Sequence, residues 1–259
     1  MEFFEKLEKN PFEDLKWNIP EQKLGAINVI GGNSRNFRTS VRVSELLSKN
    51  FPIRTINTVL PDVLKGKLPD LPNFYFLRST DSGSFLDAEE ISRTIEGADF
   101  NILIGDFSKN TTTGRAVASA SKIAARPLLI TRDTVDLIAE NNPEKTLLNE
   151  RVLIFASMAQ IQKLFRAVYY PKMLLLSQSL VQVAEILHKF TLSYPVTIIT
   201  LQSGQLIVAK DGEVKAIALG ESGFSPITVW GGELAAKIAV LNLFNPEKFL
   251  EATTCALFQ

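Results

Sequence analysis

Ala26-Ile27-Asn28-Val29-Ile30-Gly31-Gly32-Asn33-Ser34 runs from an apolar, largely β-branched stretch straight into a glycine-bearing turn. Helix-patterned sequence at Thr39–Ser48 follows it, and then a second β-rich run, Arg54–Val59. A strand, a helix and another strand in that order make a parallel crossover unit, because parallel neighbours cannot be joined by a tight turn. The alternation continues. Strands are expected at Phe74–Leu77, Phe100–Ile104, Leu128–Ile130 and Val152–Phe155, each ending in a polar or glycine-containing turn. Helices are expected at Ala88–Ile95, Gly114–Ala124, Asp133–Glu140, Met158–Val168 and Lys172–Phe190. The fold class is therefore α/β, a mostly parallel central sheet covered by helices on both faces, with the carboxyl ends of its strands along one edge.

The pattern changes after Tyr194. Val196–Leu201, Gln205–Ala209 and Val214–Leu219 lie close together, separated by Ser203-Gly204 and Asp211-Gly212. Asp-Gly between two β-rich runs signals a hairpin, so an antiparallel edge is predicted. Two helices, Gly232–Leu243 and Pro246–Phe258, are expected to finish the chain, with Asn245 as N-cap and Pro246 in the first turn. This divides the chain into an N-terminal helical arm, residues 1–25, and one domain, residues 26–259. Phe3, Phe4, Leu7, Phe12 and Leu15 give the arm an apolar stripe suited to dock on the body or on another subunit, which leaves a homo-oligomer open.

Composition narrows the function. With 259 residues, 46% of them hydrophobic, the chain can bury a full core. Lys plus Arg and Asp plus Glu are both 28, so no net field gathers nucleic acid or an anionic membrane, and a small molecule or a protein partner is favoured. Cys255 and His188 are the sole residues of their kinds, which excludes an internal disulfide and a Cys/His metal cluster. No apolar run approaches the roughly 18 residues of a membrane span, and the charged N-terminal stretch lacks the apolar region of a signal peptide; a cytoplasmic location is expected. His188 reads as a structural histidine and Cys255 as a small buried hydrophobe.

Three loops carry candidate chemistry. Gly31-Gly32-Asn33-Ser34 can turn backbone N–H groups toward an anion or a ribose, or serve only as a tight turn that needs glycine. Gly105-Asp106-Phe107-Ser108, with Asn110 leading into the next helix, lies at a strand's carboxyl end. There Asp106 can hold a metal-bound water or a hydroxyl, or simply shape the turn. Gly231-Gly232 opens a helix with Glu233 one residue inside it. Such a pair makes a phosphoryl-transfer cradle plus base, or a loop end whose glutamate offsets the helix dipole.

Taken in order, several segments resemble the ribokinase-like superfamily, and within it the NAD(P)H-hydrate dehydratase (carbohydrate-kinase-like) family. Leu15-Lys16-Trp17 and Lys23 through Ser34 resemble that family's opening, a lysine-glycine stretch leading into a strand that ends Gly-Gly-Ser. Ala98 through Gly105 resembles its "aDavviGPGLG" strand, Pro127–Ile138 its "pvvlDADaLnll" segment, and Thr197–Val208 its "ivvLKG..tvI" strand. Gly231–Ala236 falls where the family carries "GTGDvLaG". The resemblance implies a three-layer α/β/α fold and a protein that uses ATP or ADP with Mg2+ to phosphorylate a hydroxyl of hydrated NAD(P)H, after which phosphate leaves. It implies Glu233 as base, Gly231 and Gly232 as anion hole, and Gln202 and Ser203 beside the nucleotide. Gly31, Gly32, Asn33, Ser34, Gly105, Asp106 and Asn110 would face the substrate.

The departures are as informative. Glu233 replaces the catalytic aspartate and displaces its carboxylate by a methylene, where about 1 Å of misplacement costs roughly a hundredfold. Gln202-Ser203 replaces a lysine-glycine, Thr131 replaces the first aspartate of "DAD" while Asp133 keeps the second, and Gly105 alone survives of the "GPGLG" glycines. Arg38-Thr39-Ser40 stands where the family has glycine-alanine, and Phe155 through Gln160 departs from its threonine-proline-histidine motif. A catalytically inactive nucleotide-binding or scaffold protein of the same fold is therefore the competing expectation, and a sugar or vitamin kinase a third.

Overall fold

The computed structural model describes residues 2–7, 20–69, 71–219 and 225–257. Their strands are β1 (Phe4–Leu7), β2 (Leu24–Gly31), β3 (Ile53–Pro61), β4 (Phe74–Leu77), β5 (Phe100–Gly105), β6 (Leu128–Thr131), β7 (Val152–Phe155), β8 (Thr197–Gln202), β9 (Gln205–Lys210) and β10 (Glu213–Ala218). Their helices are α1 (Arg38–Asn50), α2 (Ala88–Glu96), α3 (Thr111–Lys122), α4 (Asp133–Glu140), α5 (Glu144–Leu147), α6 (Met158–Ala167), α7 (Leu180–Ser193), α8 (Pro226–Trp230), α9 (Glu233–Phe244) and α10 (Phe249–Cys255).

The strands form one sheet in the order β1-β10-β9-β8-β7-β6-β5-β2-β3-β4. All neighbours are parallel except at β9, which runs against both β8 and β10. The two turns that reverse the chain there have positive φ at both central residues, 48° and 73° at Ser203-Gly204 and 51° and 82° at Asp211-Gly212. That twist matches the flanking strands, as in type I′ hairpins.

Because side chains alternate along a strand, each central strand feeds both faces. Ile30, Leu103, Ile130, Ile154 and Ile198 pack with α2, α3, α4, α6 and α7 through Ile91, Val117, Ile138, Leu164 and Leu187. Ile27, Val29, Ile102, Ile104 and Leu129 pack on the other face with α1 and α9 through Val43, Leu47, Ile238 and Val240. The three layers expected from sequence are thus observed. α9 is apolar nearly all round, with Ala235, Ala236 and Ala239 buried, as befits a helix covered on every side. No helix among the described residues is long and apolar enough to cross a membrane.

Asparagines bind α2 to the sheet. Asn57, Asn28 and Asn101 stand opposite one another on β3, β2 and β5. Asn57 Nδ2 donates to Asn28 Oδ1 at 2.8 Å and Asn28 Nδ2 to Asn101 Oδ1 at 3.0 Å. Asn28 and Asn101 also donate to the Thr94 and Ile95 carbonyls at 2.6 and 2.9 Å, satisfying orphan groups in the last turn of α2.

Several boundaries differ from the sequence reading. Within the expected helical arm, Phe4–Leu7 is a strand lying parallel to β10, from Phe4 opposite Val214 to Leu7 opposite Ile217. The open backbone edge of β10 supplies partners that a helix would not use. The antiparallel β9–β10 hairpin lies toward the sheet's edge as expected, with β1 added outside it. The arm docks on the body here: Leu7 is buried and Phe3 stacks on the His188 ring at 4.1 Å. Phe12, Leu15 and the Leu15-Lys16-Trp17 segment lie outside the described residues. α7 begins at Leu180, not Lys172, because Ser179 and Gln182 close a capping box. α10 begins at Phe249, not Pro246, and Asn245 donates to the Leu241 carbonyl at 3.0 Å instead of capping a new helix. The two short helices α5 and α8, and a 3-10 turn at Asp62–Leu64, carry too little periodicity to be seen in sequence.

Candidate functional site

The chain steps outward from β2 to β3 and β4, then returns to place β5 on the other side of β2. α1 leaves β2 toward one face and α3 leaves β5 toward the other, so the carboxyl ends of these strands bound the crevice where such sheets receive ligands. The backbones meet closely there. Gly32 N donates to the Gly105 carbonyl at 2.9 Å. A Cβ on Gly31 would stand 2.6 Å from that carbonyl and 2.7 Å from Ile104 Cγ2, so only glycine fits.

Asn33 fastens the turn. Its Oδ1 accepts from Arg35 N and Asn36 N at 2.9 and 3.1 Å, and its Nδ2 donates to the Asp106 carbonyl at 2.5 Å. Ser34 N donates to the Gly83 carbonyl at 2.8 Å, and Asn110 Nδ2 reaches Ser82 Oγ at 2.6 Å, so a loop between β4 and α2 lies over both. Asn110 also caps α3, accepting from Thr113 N at 2.7 Å.

Two arginines dominate the centre. Asp106 and Arg132 both hold left-handed backbones, φ 60° and 58°, a strain worth on the order of 1 kcal/mol or more each. They pair with one another: Arg132 Nη2 donates to Asp106 Oδ1 at 2.8 Å, while Nη1 donates to the Trp230 carbonyl at 3.1 Å. Arg132 Nε is buried with no partner. Asp106 N donates to Asp133 Oδ1 at 2.7 Å, and burial pushes the Asp133 carboxyl above the usual aspartate range, an effect its bond from that N–H opposes. Gln160, from the capping box that opens α6, holds the Arg132 carbonyl at 2.7 Å and Asp136 at 2.9 Å.

Arg42, on α1, makes the second bridge. Its Nη2 donates to the Gly231 carbonyl at 3.1 Å and to Glu233 Oε1 at 3.2 Å. Gly232 holds φ 97° at the N-cap of α9, and a Cβ there would lie 2.7 Å from Val43 Cγ2 and 3.1 Å from Ile104 Cδ1. Ile104 thus separates Gly31 from Gly232 by a single side chain. Trp230 stacks on Phe155 at 5.0 Å.

The structure therefore gathers Gly31, Gly32, Asn33, Gly105 and Asp106 in one cluster and joins Gly231, Gly232 and Glu233 to it through Arg42, Arg132 and Ile104. Ser34 and Asn110 sit at its border. Gln202 and Ser203 are engaged elsewhere: Gln202 Nε2 donates to the Gln178 carbonyl at 2.7 Å, and Ser203 occupies the β8–β9 turn. Gly232 N–H, expected to face an anion, closes a turn on the Val229 carbonyl at 3.3 Å. Asp106, expected to hold a metal-bound water or hydroxyl, has its carboxylate committed to Arg132. Among the described residues no group of three His, Cys, Asp or Glu side chains could hold a metal.

Sequence reading missed Arg42, Arg132 and Gln160. Arg132 was visible at the end of β6, within the "DAD"-like segment. Arg42 gave no signal, because it meets Glu233 through the packing of α1 on α9.

No protein-family model and no curated protein matches the sequence. Solved structures do match, and with the topology above they define the class: the chain has the ribokinase-like, carbohydrate-kinase-like fold. A ribokinase-like superfamily protein from Enterococcus faecalis aligns over 100% of this chain and 86% of its own, with a TM-score of 0.71 and 16% identity. The ADP/ATP-dependent NAD(P)H-hydrate dehydratase of Bacillus subtilis aligns over 92% and 81%, with a TM-score of 0.59 and 15% identity. Adenosine kinase from Anopheles gambiae aligns over 98% and 90%, with a TM-score of 0.55 and 12% identity. At these identities the likeness is one of fold.

Proposed function

We propose that this chain binds an ATP- or ADP-type nucleotide beside the opening of α9 without productive phosphoryl transfer. The observation that carries this reading is that the groups such a transfer would use are already committed within the protein. Glu233 accepts from Arg42, Gly232 N–H is held by Val229, and Arg132 spans the crevice from Asp106 to Trp230. A base bonded to a guanidinium must break that bond before it can take a proton from a hydroxyl at about 2.6–3.2 Å. The same two guanidinium groups suit phosphate oxygens. The similar Bacillus subtilis dehydratase was co-crystallised with ATP/Mg2+. Magnesium would travel here on the nucleotide's own phosphates.

A second reading is a slow ATP/ADP-dependent NAD(P)H-hydrate dehydratase with Glu233 as base. It is favoured by the 32% exposure of the Glu233 side chain, whose ion pair with Arg42 an arriving phosphate could take over. Thermal shift with ATP and ADP, run beside an assay of NAD(P)H-hydrate repair, separates the two. Either nucleotide at about 100 times its dissociation constant should add roughly 2.7 kcal/mol of stability, with no repair above background. Repair that Glu233→Asp raises and Glu233→Gln abolishes would move the conclusion to the dehydratase. Absence of any nucleotide shift would overturn the proposal and leave a scaffold.

A further inference from the structure

Two side chains that meet across the crevice both stand on backbones that side chains avoid. Asp106 has φ 60°, and Arg132 has φ 58° with ψ −140°, close to the first central position of a type II′ turn, which glycine favours. Neither is left to relax. Asp106 N donates to Asp133 Oδ1 at 2.7 Å, and its carbonyl accepts from Asn33 Nδ2 at 2.5 Å. The Arg132 carbonyl accepts from Gln160 Nε2 at 2.7 Å and from Val135 N at 3.2 Å. Gly105 clears the way for the arginine, since a Cβ there would stand 3.1 Å from Arg132 Cβ. What these bonds secure is one ion pair, Arg132 Nη2 to Asp106 Oδ1 at 2.8 Å.

Stability does not account for the arrangement. A partly exposed ion pair returns little, and the strain of two such backbones offsets it. Strain that the surrounding bonds over-determine is characteristic of ligand clamps and switches. The guanidinium held here offers the donors that phosphate oxygens take, and through the Trp230 carbonyl it reaches the opening of α9. The Asp106 carboxylate thus occupies the group that a phosphate would use.

We infer that Asp106 and Arg132 form an autoinhibitory latch, in which the carboxylate competes with a ligand's phosphate for the guanidinium and a polyphosphate binds by drawing Arg132 away from Asp106. The inference rests on the reading that a polyphosphate lies beside the opening of α9. Asp133 and Gln160 are the catches that keep the two side chains aimed at one another. Apparent affinity is lowered by the fraction of chains whose latch is closed, so removing the internal competitor raises it.

Calorimetric titration of the full chain with inorganic tripolyphosphate and with ATP tests the latch. Asp106→Asn removes the competing charge, and asparagine tolerates the left-handed backbone; it should bind tripolyphosphate at least tenfold more tightly than the native chain. Arg132→Gly should bind it at least tenfold more weakly than the native chain. Opposite signs from the two halves of one pair distinguish a latch from a contact that only shapes the loop, whose loss would weaken binding in both. Asp136→Asn removes an equal charge bonded to Gln160 and Lys163, and should change affinity less than threefold. An equal gain there would assign the effect to the general field and overturn the latch, as would weaker or absent tripolyphosphate binding by Asp106→Asn. Without any ligand, Arg132→Gly should unfold at a urea midpoint no lower than that of Arg132→Ala, because only glycine is at ease at that backbone. A lower midpoint would remove the strain and overturn the inference, and should either Arg132 variant fail to fold, Asp106→Asn against Asp136→Asn decides. ATP binding that Asp106→Asn leaves unchanged would keep the nucleotide reading and sink the latch; tripolyphosphate binding strengthened by Asp106→Asn, with none of ATP, would do the reverse.

Discussion

At the scale of single residues, the crevice is held by a few charged groups whose loss should be measurable. Arg132 and Asp106 are 26% and 18% exposed at their side chains, between the surface pair worth about 0–1 kcal/mol and the buried one whose breakage costs about 3–5. Arg132→Ala should therefore cost about 1–3 kcal/mol in urea denaturation. Asp133 makes a pH prediction. Its folded pKa is raised, so the stability lent by its protonated form is complete below the ordinary value near 3.9 and is lost as pH rises through the folded value. Compared with Asp133→Asn, which keeps the acceptor for Asp106 N, the native chain should lose relative stability between about pH 4 and neutrality; urea midpoints at pH 4 and pH 7 check this. A constant difference would remove burial as the cause. Cys255 is 1% exposed, and burial pushes its thiol up to about 12. It should resist a thiol reagent at pH 8 in the folded chain and react fully in denaturant, since only the thiolate attacks.

Elements are fixed to one another by groups that must match in register. The Asn57–Asn28–Asn101 row works only because β3, β2 and β5 place these residues side by side, and α2 reads that register through its Thr94 and Ile95 carbonyls. Asn28→Ala would strand a donor on Asn57, an acceptor on Asn101 and a helix-end carbonyl at once. It should cost about 2–3 kcal/mol, more than one hydrogen bond, because unsatisfied buried groups bear their full desolvation penalty. A loss within about 0.5 kcal/mol would mean that water replaces the row. None of this network follows from β-propensity, since asparagine is depleted in strands. The capping boxes that start α7 and α6, Ser179 with Gln182 and Ser157 with Gln160, are local in sequence, yet the α7 start was expected at Lys172.

For the whole molecule, the sheet's order sets what is protected and what is reachable. β1 covers the outer edge of β10, so deleting residues 1–7 should bare an unpaired strand and produce concentration-dependent association by light scattering. A truncated chain that stays monomeric at high concentration would show that the edge is otherwise guarded. The alternation of apolar runs and helical periodicity, read from residue 26 onward, determined the layers, the parallel sheet and the hairpin at Asp211-Gly212. Those features follow from periodicities of two and 3.6 and from local glycine chemistry, which the chain carries in itself. The loops at Gly31 and Gly105 were likewise legible as strand ends, and Gly231 as the opening of a helix. Only the tertiary structure decided that Arg42 meets Glu233, that Arg132 ties Asp106 to Trp230, that Gln202 is engaged with Gln178, and that the N-terminal segment is a strand. Each of these pairings joins residues distant in sequence, and their partners exist only once helix packing and strand order have brought them within hydrogen-bond reach.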